Sequence, residues 1–185
     1  MSPYLRKPGM EARDFSRVRL HQAVVDETPV GRFSMAEEES RRNVEITREN
    51  FTAPDARILV VDDVDLNLAV FKQLLKNSGM TIETASTGAR SLEMIGSGNY
   101  YIVFMDYLMP EMDGIETMRK GRDEGIIDTE KFPVIALTAD AVSGAREMFL
   151  NEGFSDYLTK PIQIKQLIEM FIKYLPDDKV IPSVR

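Results

Sequence analysis

From residue 56 onward, short apolar runs alternate with segments of helical periodicity. The runs predict five strands, at 57–61, 81–85, 101–105, 133–137 and 154–158. In the segments after them, apolar residues recur every three or four positions, which predicts five helices near 65–77, 88–95, 115–122, 141–151 and 163–175. Strands that alternate with helices run parallel. The pattern therefore predicts an α/β fold with a five-stranded, doubly wound parallel sheet covered by helices on both faces.

Polar side chains stand where four of these strands end. Asp62 and Asp63 follow the first strand, Asp106 the third and Thr138 the fourth, while Lys160 comes two residues after the fifth. In a parallel sheet the carboxyl ends of the strands meet at one edge, beside the point where the strand order reverses. We therefore expect these five side chains to converge, although they span about 100 residues of the chain.

Their chemistry suits phosphoryl transfer. Crowded carboxylates repel one another unless a cation or a raised pKa relieves them, and Mg²⁺ prefers carboxylate oxygens and water. A carboxylate such as Asp106 can attack phosphorus and form an acyl phosphate, while Lys160 and the Thr138 hydroxyl can hold the phosphoryl oxygens. Any one of these residues alone would be more typical of a helix cap, a loop or a solvated surface.

Four segments together resemble the receiver domain of bacterial-type response regulators, and the resemblance covers residues 56–175. The segments are Ile58-Leu-Val-Val-Asp-Asp63, Val103-Phe-Met-Asp-Tyr-Leu-Met-Pro-Glu-Met-Asp-Gly114, Pro133-Val-Ile-Ala-Leu-Thr-Ala139 and Asp156-Tyr-Leu-Thr-Lys-Pro161. The resemblance implies a flavodoxin-like strand order of 2-1-3-4-5. It also implies a phospho-accepting role in a two-component phosphorelay.

Residue by residue, the resemblance makes Asp106 the phospho-acceptor. It implies that Asp63, Asp106 and the backbone carbonyl of Leu108 bind Mg²⁺ directly, with Asp62 acting mainly through water. Mn²⁺ could take the place of Mg²⁺. An apolar Leu108 offers no polar group to orient attacking water, so we expect a long-lived phosphoryl group; Asp140 occupies the other position through which receivers tune this hydrolysis.

The same resemblance gives the remaining residues their roles. Lys160 would pair with the phosphoryl group, and Thr138 would be the switch hydroxyl that moves to it. Tyr157 would be the aromatic side chain that swings inward when Thr138 moves. The Lys160–Pro161 peptide bond is expected to be cis. Output would pass through the surface formed by the fourth helix, the fifth strand and the fifth helix.

Among receiver domains, this sequence most resembles those attached to hybrid sensor histidine kinases. The resemblance lies in Asp63-Val-Asp-Leu-Asn67 and Met109-Pro-Glu-Met-Asp-Gly114. Neither an ATP-binding nor a DNA-binding domain is visible, so we expect a stand-alone regulator or a piece of a larger protein. We expect no enzymatic activity beyond self-catalysed phosphoryl transfer and slow autodephosphorylation. The single histidine, His21, lacks an acidic neighbour. The donor should therefore be a partner's histidine, on a histidine kinase or a histidine phosphotransfer protein. The oligomeric state, including a homodimer, stays open.

Charge and composition restrict the partners and the compartment. Residues 1–54 carry nine basic and nine acidic residues, so the whole net charge of −7 falls on residues 55–185. This acidity disfavours direct nucleic-acid binding. No apolar run is long enough to cross a bilayer, so we expect no membrane contact, and the absence of cysteine fits a cytoplasmic location.

The composition divides the chain into three parts. Residues 1–54 show no sustained periodicity, which predicts a poorly structured linker with short helices. We expect residues 55–176 to form the receiver domain and residues 177–185 to form a tail. Tyr4-Leu-Arg-Lys-Pro8 echoes Tyr157-Leu-Thr-Lys-Pro161, which leaves open that the first segment is the end of a preceding receiver.

Three other functions share some of these features. A metal-dependent phosphohydrolase also uses aspartates, Mg²⁺ and lysine, but the familiar type carries its nucleophile after the first strand, and rapid turnover of a phosphate ester would favour it. A flavin-binding electron carrier needs a phosphate-cradling first loop, where Asp62 and Asp63 would repel phosphate. A coloured protein would indicate flavin. A structural adaptor with an inactive site is disfavoured because every acceptor residue is present.

Overall fold

The computed structural model describes residues 51–139 and 144–182. Its strands are β1 (Phe51–Thr52), β2 (Arg57–Val61), β3 (Thr81–Ala85), β4 (Ile102–Asp106), β5 (Val134–Thr138), β6 (Asp156–Thr159) and β7 (Ile181–Pro182). Its α-helices are α1 (Asp65–Leu74), α2 (Gly88–Ser97), α3 (Gly114–Asp123), α4 (Ala145–Asn151) and α5 (Ile164–Tyr174). A short 3-10 helix, Asp177–Lys179, precedes β7.

The central sheet contains β2 to β6, which are the five predicted strands. Its order is β3-β2-β4-β5-β6, and every neighbouring pair is parallel. In terms of the five predicted strands this order is 2-1-3-4-5. The predicted doubly wound α/β fold is therefore confirmed.

Successive residues of the strands face two separate apolar cores. On one face, Ile58 and Val60 of β2 pack with residues of α1 and α5. On the other, Leu59 and Val61 pack with residues of α2, α3 and α4. Because both faces are covered, the central strands β2, β4 and β5 are apolar almost throughout, as expected of a parallel sheet. The polar residues that end these strands therefore stand out.

Local chemistry fixes the start of α3 beside the end of β4. Asp113 accepts a hydrogen bond from the Glu116 backbone N–H at 2.7 Å, and the Glu116 carboxylate accepts one from the Asp113 N–H at 3.2 Å, which forms a capping box. A Cβ atom on Gly114 would collide with the backbone carbonyl of Asp106. Glycine thus lets the helix begin against the strand end that carries Asp106.

Several element boundaries differ from the prediction. The first helix ends at Leu74 rather than near 77, and β4 runs from 102 to 106 rather than from 101 to 105. The fourth helix begins at Ala145, after Gly144, whose φ of 89° lies in the left-handed region that favours glycine. Residues 141–143, predicted to begin this helix, lie outside the described residues.

A second, two-stranded sheet pairs the segment before β2 with the segment after α5. β1 pairs antiparallel with β7, and the Thr52 hydroxyl donates a hydrogen bond to the Ile181 carbonyl at 2.9 Å. Phe51 is buried, and its ring stacks on Phe171 of α5 with centroids 5.4 Å apart. β1 and β7 lie outside the predicted range 55–176, since two-residue strands show no periodicity that a sequence pattern can detect.

The predictions for the first 50 residues, including His21 and the Tyr4–Pro8 echo, lie outside the described residues. In the part of the chain that the structure describes, no helix combines the length and the apolar character needed to span a membrane.

Candidate functional site

The polar strand ends meet at the carboxyl edge of the central sheet. Asp106 is the last residue of β4 and Thr138 the last of β5, while Asp62 directly follows β2 and Lys160 directly follows β6. The Lys160 backbone N–H donates to the Thr138 carbonyl at 2.7 Å, which ties the end of β6 to that of β5. The Lys160–Pro161 peptide bond is cis, as expected.

Three carboxylates form an acidic cluster at this edge. Each of Asp62, Asp63 and Asp106 places a carboxylate oxygen within 4.8 Å of the others. Asp62 is 1% exposed and Asp106 6%, whereas Asp63 is exposed. The cluster therefore opens to solvent on the side of Asp63, from which a ligand can enter.

Lys160 bridges the two buried carboxylates. Its Nζ lies 2.7 Å from Asp62 Oδ2 and 2.8 Å from Asp106 Oδ2. Burial alone would lower the pKa of Lys160, but the hydrogen bonds to Asp106 and Asp62 outweigh it and raise the pKa above its usual value. The ammonium group therefore stays charged beside Asp106 at physiological pH.

Burial also perturbs Asp106. It raises the pKa of the Asp106 carboxyl, and the nearby charge of Asp62 adds to the effect, while Lys160 and the Leu108 backbone N–H oppose it. Lys160 pairs with Asp62 and Asp106, and within the described residues it is the one cation that contacts this cluster of three carboxylates. Two negative charges are left over, and a hard divalent cation with oxygen ligands would balance them.

Asp62 is held from several sides. Its Oδ1 accepts hydrogen bonds from the Val64 backbone N–H at 3.0 Å and from Asn67 Nδ2 at 2.9 Å. Its Oδ2 accepts from Lys160, and Asn67 also approaches it at 3.2 Å. Asn67 was not singled out as a site residue from the sequence. The available signal was its place in the first turn of the helix that follows the acidic pair.

Three other predicted site residues, Thr138, Leu108 and Tyr157, differ in how far they are buried. Thr138 is buried, whereas the Leu108 side chain is 60% exposed. Tyr157 is half-buried, and its ring stacks on Phe149 of α4 with centroids 6.0 Å apart. Tyr107, which directly follows Asp106, packs edge-on against the same Phe149 ring at 5.3 Å. Asp140 lies outside the described residues.

Comparison with known proteins shows the family to which the chain belongs. A family model described as the response regulator receiver domain matches residues 58–172. The aerobic respiration control sensor protein ArcB of Escherichia coli K12 is 31% identical over 126 residues, which are 68% of this chain and 16% of ArcB. The two-component response regulator ORR11 of Oryza sativa subsp. japonica is 32% identical over 120 residues, 64% of this chain and 80% of ORR11. The chain thus spans a small part of the sensor protein but most of the regulator.

Two solved structures are similar in both sequence and fold. The receiver domain of sensor histidine kinase PA1611 from Pseudomonas aeruginosa, with magnesium coordinated in its active-site cleft, is 29% identical with a TM-score of 0.57 and covers 64% of this chain and 96% of its own. The Ssk1 receiver of Saccharomyces cerevisiae, in complex with the histidine phosphotransfer protein Ypd1, is 25% identical with a TM-score of 0.60, covering 66% and 90%. The family model matches more than half of the chain, and the chain therefore belongs to the response regulator receiver domain family of two-component systems.

Proposed function

We propose that this receiver takes a phosphoryl group from a phosphohistidine of a partner protein onto Asp106. The observation that carries the proposal is the setting of the Asp106 carboxylate. It ends a central strand, lies 2.8 Å from the Lys160 ammonium and has two further carboxylates within 4.8 Å. A cationic group and a divalent-cation site on either side of one carboxylate provide the charge neutralisation that phosphoryl transfer requires.

The transfer exchanges one bond for another. A carboxylate oxygen of Asp106 attacks the phosphorus atom, the P–N bond to the partner's imidazole breaks, and the imidazole leaves with its electron pair and takes up a proton. Lys160, already 2.8 Å from Asp106, would hold a phosphoryl oxygen of the product. Thr138, at the end of the adjacent strand, would donate its hydroxyl to another oxygen.

The acidic cluster fits Mg²⁺, and Mn²⁺ could substitute. Asp63 and Asp106 would bind the ion directly together with the Leu108 carbonyl, and Asp62 would act mainly through water. When bound, the ion would neutralise negative charge on the phosphoryl oxygens. The magnesium reported in the PA1611 receiver supports this assignment.

The proposed donor is a histidine kinase or a histidine phosphotransfer protein, and the Ssk1–Ypd1 complex supports such a partner. We place the exchange in the cytoplasm, because phosphoryl groups on such histidines originate from ATP. The chain would act as a receiver rather than as an enzyme with turnover, either alone or within a hybrid sensor kinase. A homodimer would be compatible with either arrangement.

Output would follow from movement of Thr138 and Tyr157 and would reach the surface formed by α4, β6 and α5. The Phe149 ring supports this route because it contacts both Tyr157 and Tyr107. An exposed, apolar Leu108 should leave attacking water without an oriented hydrogen-bond partner. The acyl phosphate should therefore persist, and radiolabel decay within seconds would contradict this.

Incubation with acetyl phosphate and Mg²⁺ tests the proposal. Intact mass should increase by one phosphoryl group in the wild type and not in Asp106→Asn. The increase should disappear in EDTA and return with Mg²⁺ or Mn²⁺. An unmodified wild type, or equal labelling of the variant, would refute Asp106 as the acceptor.

A further inference from the structure

The buried carboxylate of Asp62 is held by donors from two different elements. Lys160, after β6, donates to Oδ2, while the Val64 N–H and the Asn67 amide donate to Oδ1 from the start of α1. Carboxylate torsions of aspartate are broad, so a carboxylate in a cluster keeps one orientation only if its neighbours impose it. The contacts at Oδ1 therefore determine which way Asp62 faces.

Asn67 supplies the side-chain part of this restraint. It lies in the first turn of α1, and its backbone N–H donates to the Val64 carbonyl at 2.9 Å. Val64 at the helix N-cap makes no side-chain capping bond, and instead the Asp62 carboxylate accepts the Val64 N–H. Asp62 and the first turn of α1 thus hold each other in place.

The Lys160 contact is the one that phosphorylation would weaken. In the proposed function, Lys160 turns part of its hydrogen bonding toward the incoming phosphoryl group, which removes a donor from Asp62 Oδ2. The contacts with α1 would then be the ones that keep Asp62 facing the acidic cluster. The shorter of the two hydrogen bonds that Asn67 donates to Asp62 joins Asn67 Nδ2 to Asp62 Oδ1 at 2.9 Å.

We propose that Asn67 is a positioning residue for Mg²⁺ binding, acting by orienting the Asp62 carboxylate. The inference rests on the proposed function but concerns a residue to which no role has been assigned. Hydrogen-bond partners of groups around a metal are often worth about tenfold or more in metal affinity. Asn67 and Asp62 also line a groove of about 220 Å³, together with Leu66, Val70 and Pro161.

The test measures the Mg²⁺ dissociation constant by isothermal titration calorimetry without a phosphodonor. Asn67→Leu keeps much of the side-chain volume without the donor, and Asn67→Ala removes both. Each should weaken Mg²⁺ binding about tenfold or more. Asn77→Ala, the same change at an exposed site beyond α1, should leave the constant within about twofold of the wild type. Thermal unfolding in EDTA checks that each variant is folded, and Asn67→Ser provides a further variant that retains a donor.

Phosphorylation kinetics add a readout that a purely structural role would not change. In the Asn67 variants the Mg²⁺ concentration for half-maximal labelling should rise about tenfold, with the rate at saturating Mg²⁺ close to that of the wild type. In an Asp62→Asn background, Asn67→Ala should have little further effect on Mg²⁺ affinity.

Unchanged Mg²⁺ affinity in Asn67→Leu, or full additivity with Asp62→Asn, would overturn the role of Asn67. A wild type that binds no Mg²⁺ would instead refute the metal site of the proposed function. The two failures are therefore distinguishable.

Discussion

The carboxylates at the two edges of the central sheet differ in how their negative charge is balanced. Toward the amino edge, two carboxylates, Glu83 and Asp156, each pair with one cation and lie beside one tyrosine hydroxyl. Glu83 meets Arg57 at 2.6 Å and the Tyr100 hydroxyl at 2.5 Å, while Asp156 meets Lys173 at 2.6 Å and lies 3.2 Å from the Tyr174 hydroxyl. At the carboxyl edge, three carboxylates lie together, and the ammonium group of Lys160 pairs with two of them, Asp62 and Asp106.

We infer from this difference that the ion pairs toward the amino edge stabilise the fold, whereas the carboxylates at the carboxyl edge form a binding site. When a buried carboxylate is paired with a cation, removing that cation mainly lowers the stability of the fold. An acidic cluster with excess negative charge is instead neutralised by a bound cation or by a raised pKa of one of its carboxyls. A lysine-to-methionine change at each edge should therefore affect different properties.

The largest effect is expected from Lys160→Met, at the carboxyl edge. The variant loses the cation that faces the proposed phosphoryl group, so the labelling rate with acetyl phosphate should fall about 100- to 1,000-fold. The rate of phosphoprotein formation, followed by intact mass, provides the measurement. Labelling at the wild-type rate would show that Lys160 plays no part in the transfer.

Phe51→Ala tests the antiparallel pair at the amino edge. The ring is buried and stacks on Phe171, so its loss should lower the free energy of unfolding by about 3 kcal/mol. Urea unfolding measures this change. The labelling rate of the folded variant should equal that of the wild type, and a loss of labelling without a loss of stability would break the division between the edges.

Lys173→Met is the matched partner of Lys160→Met. It leaves the buried Asp156 without its cation, which should cost about 2 to 3 kcal/mol of stability because Lys173 is partly exposed. Its labelling rate should stay within about twofold of the wild type. If Lys173→Met slowed labelling as much as Lys160→Met, the comparison between the edges would fail.

The smallest effect is a pH dependence at Tyr100. Burial, followed by the hydrogen bond and charge of Glu83, raises the pKa of Tyr100 to about 12. Because the folded-state pKa lies above the unfolded value near 10, the stabilisation is complete below about pH 10 and is lost as the pH rises toward 12. Tyr100→Phe should lose about 1 kcal/mol at neutral pH. Its stability should then fall less steeply than that of the wild type between pH 10 and 12, as urea unfolding across this range would show.

The alternation of apolar runs with helical periodicity was sufficient to predict the parallel sheet, whereas its strand order came from the family resemblance. The sheet brings Asp62, Asp63 and Asp106 together. Boundaries were less accurate because a polar residue can still belong to a strand. Asp106 pairs with Leu137 in the ladder although it breaks the apolar run of β4.

What the sequence did not reveal depends on tertiary contacts. β1 and β7 are each two residues long, and Phe51 is buried in a core cluster that includes Phe171. Asn67 reaches Asp62 through the geometry of one helical turn, and Phe149 meets Tyr107 and Tyr157 across separate elements. Such pairings follow from the folded backbone rather than from local periodicity.

The identity of the acceptor is the central claim, and chemical mapping tests it most directly. Protein labelled with acetyl phosphate is reduced with sodium borohydride, which converts an aspartyl phosphate into homoserine, and is then mapped by peptide mass spectrometry. The account predicts homoserine at position 106 and unmodified aspartate at positions 62 and 63. Homoserine at position 62 or 63, with Asp106 intact, would contradict it.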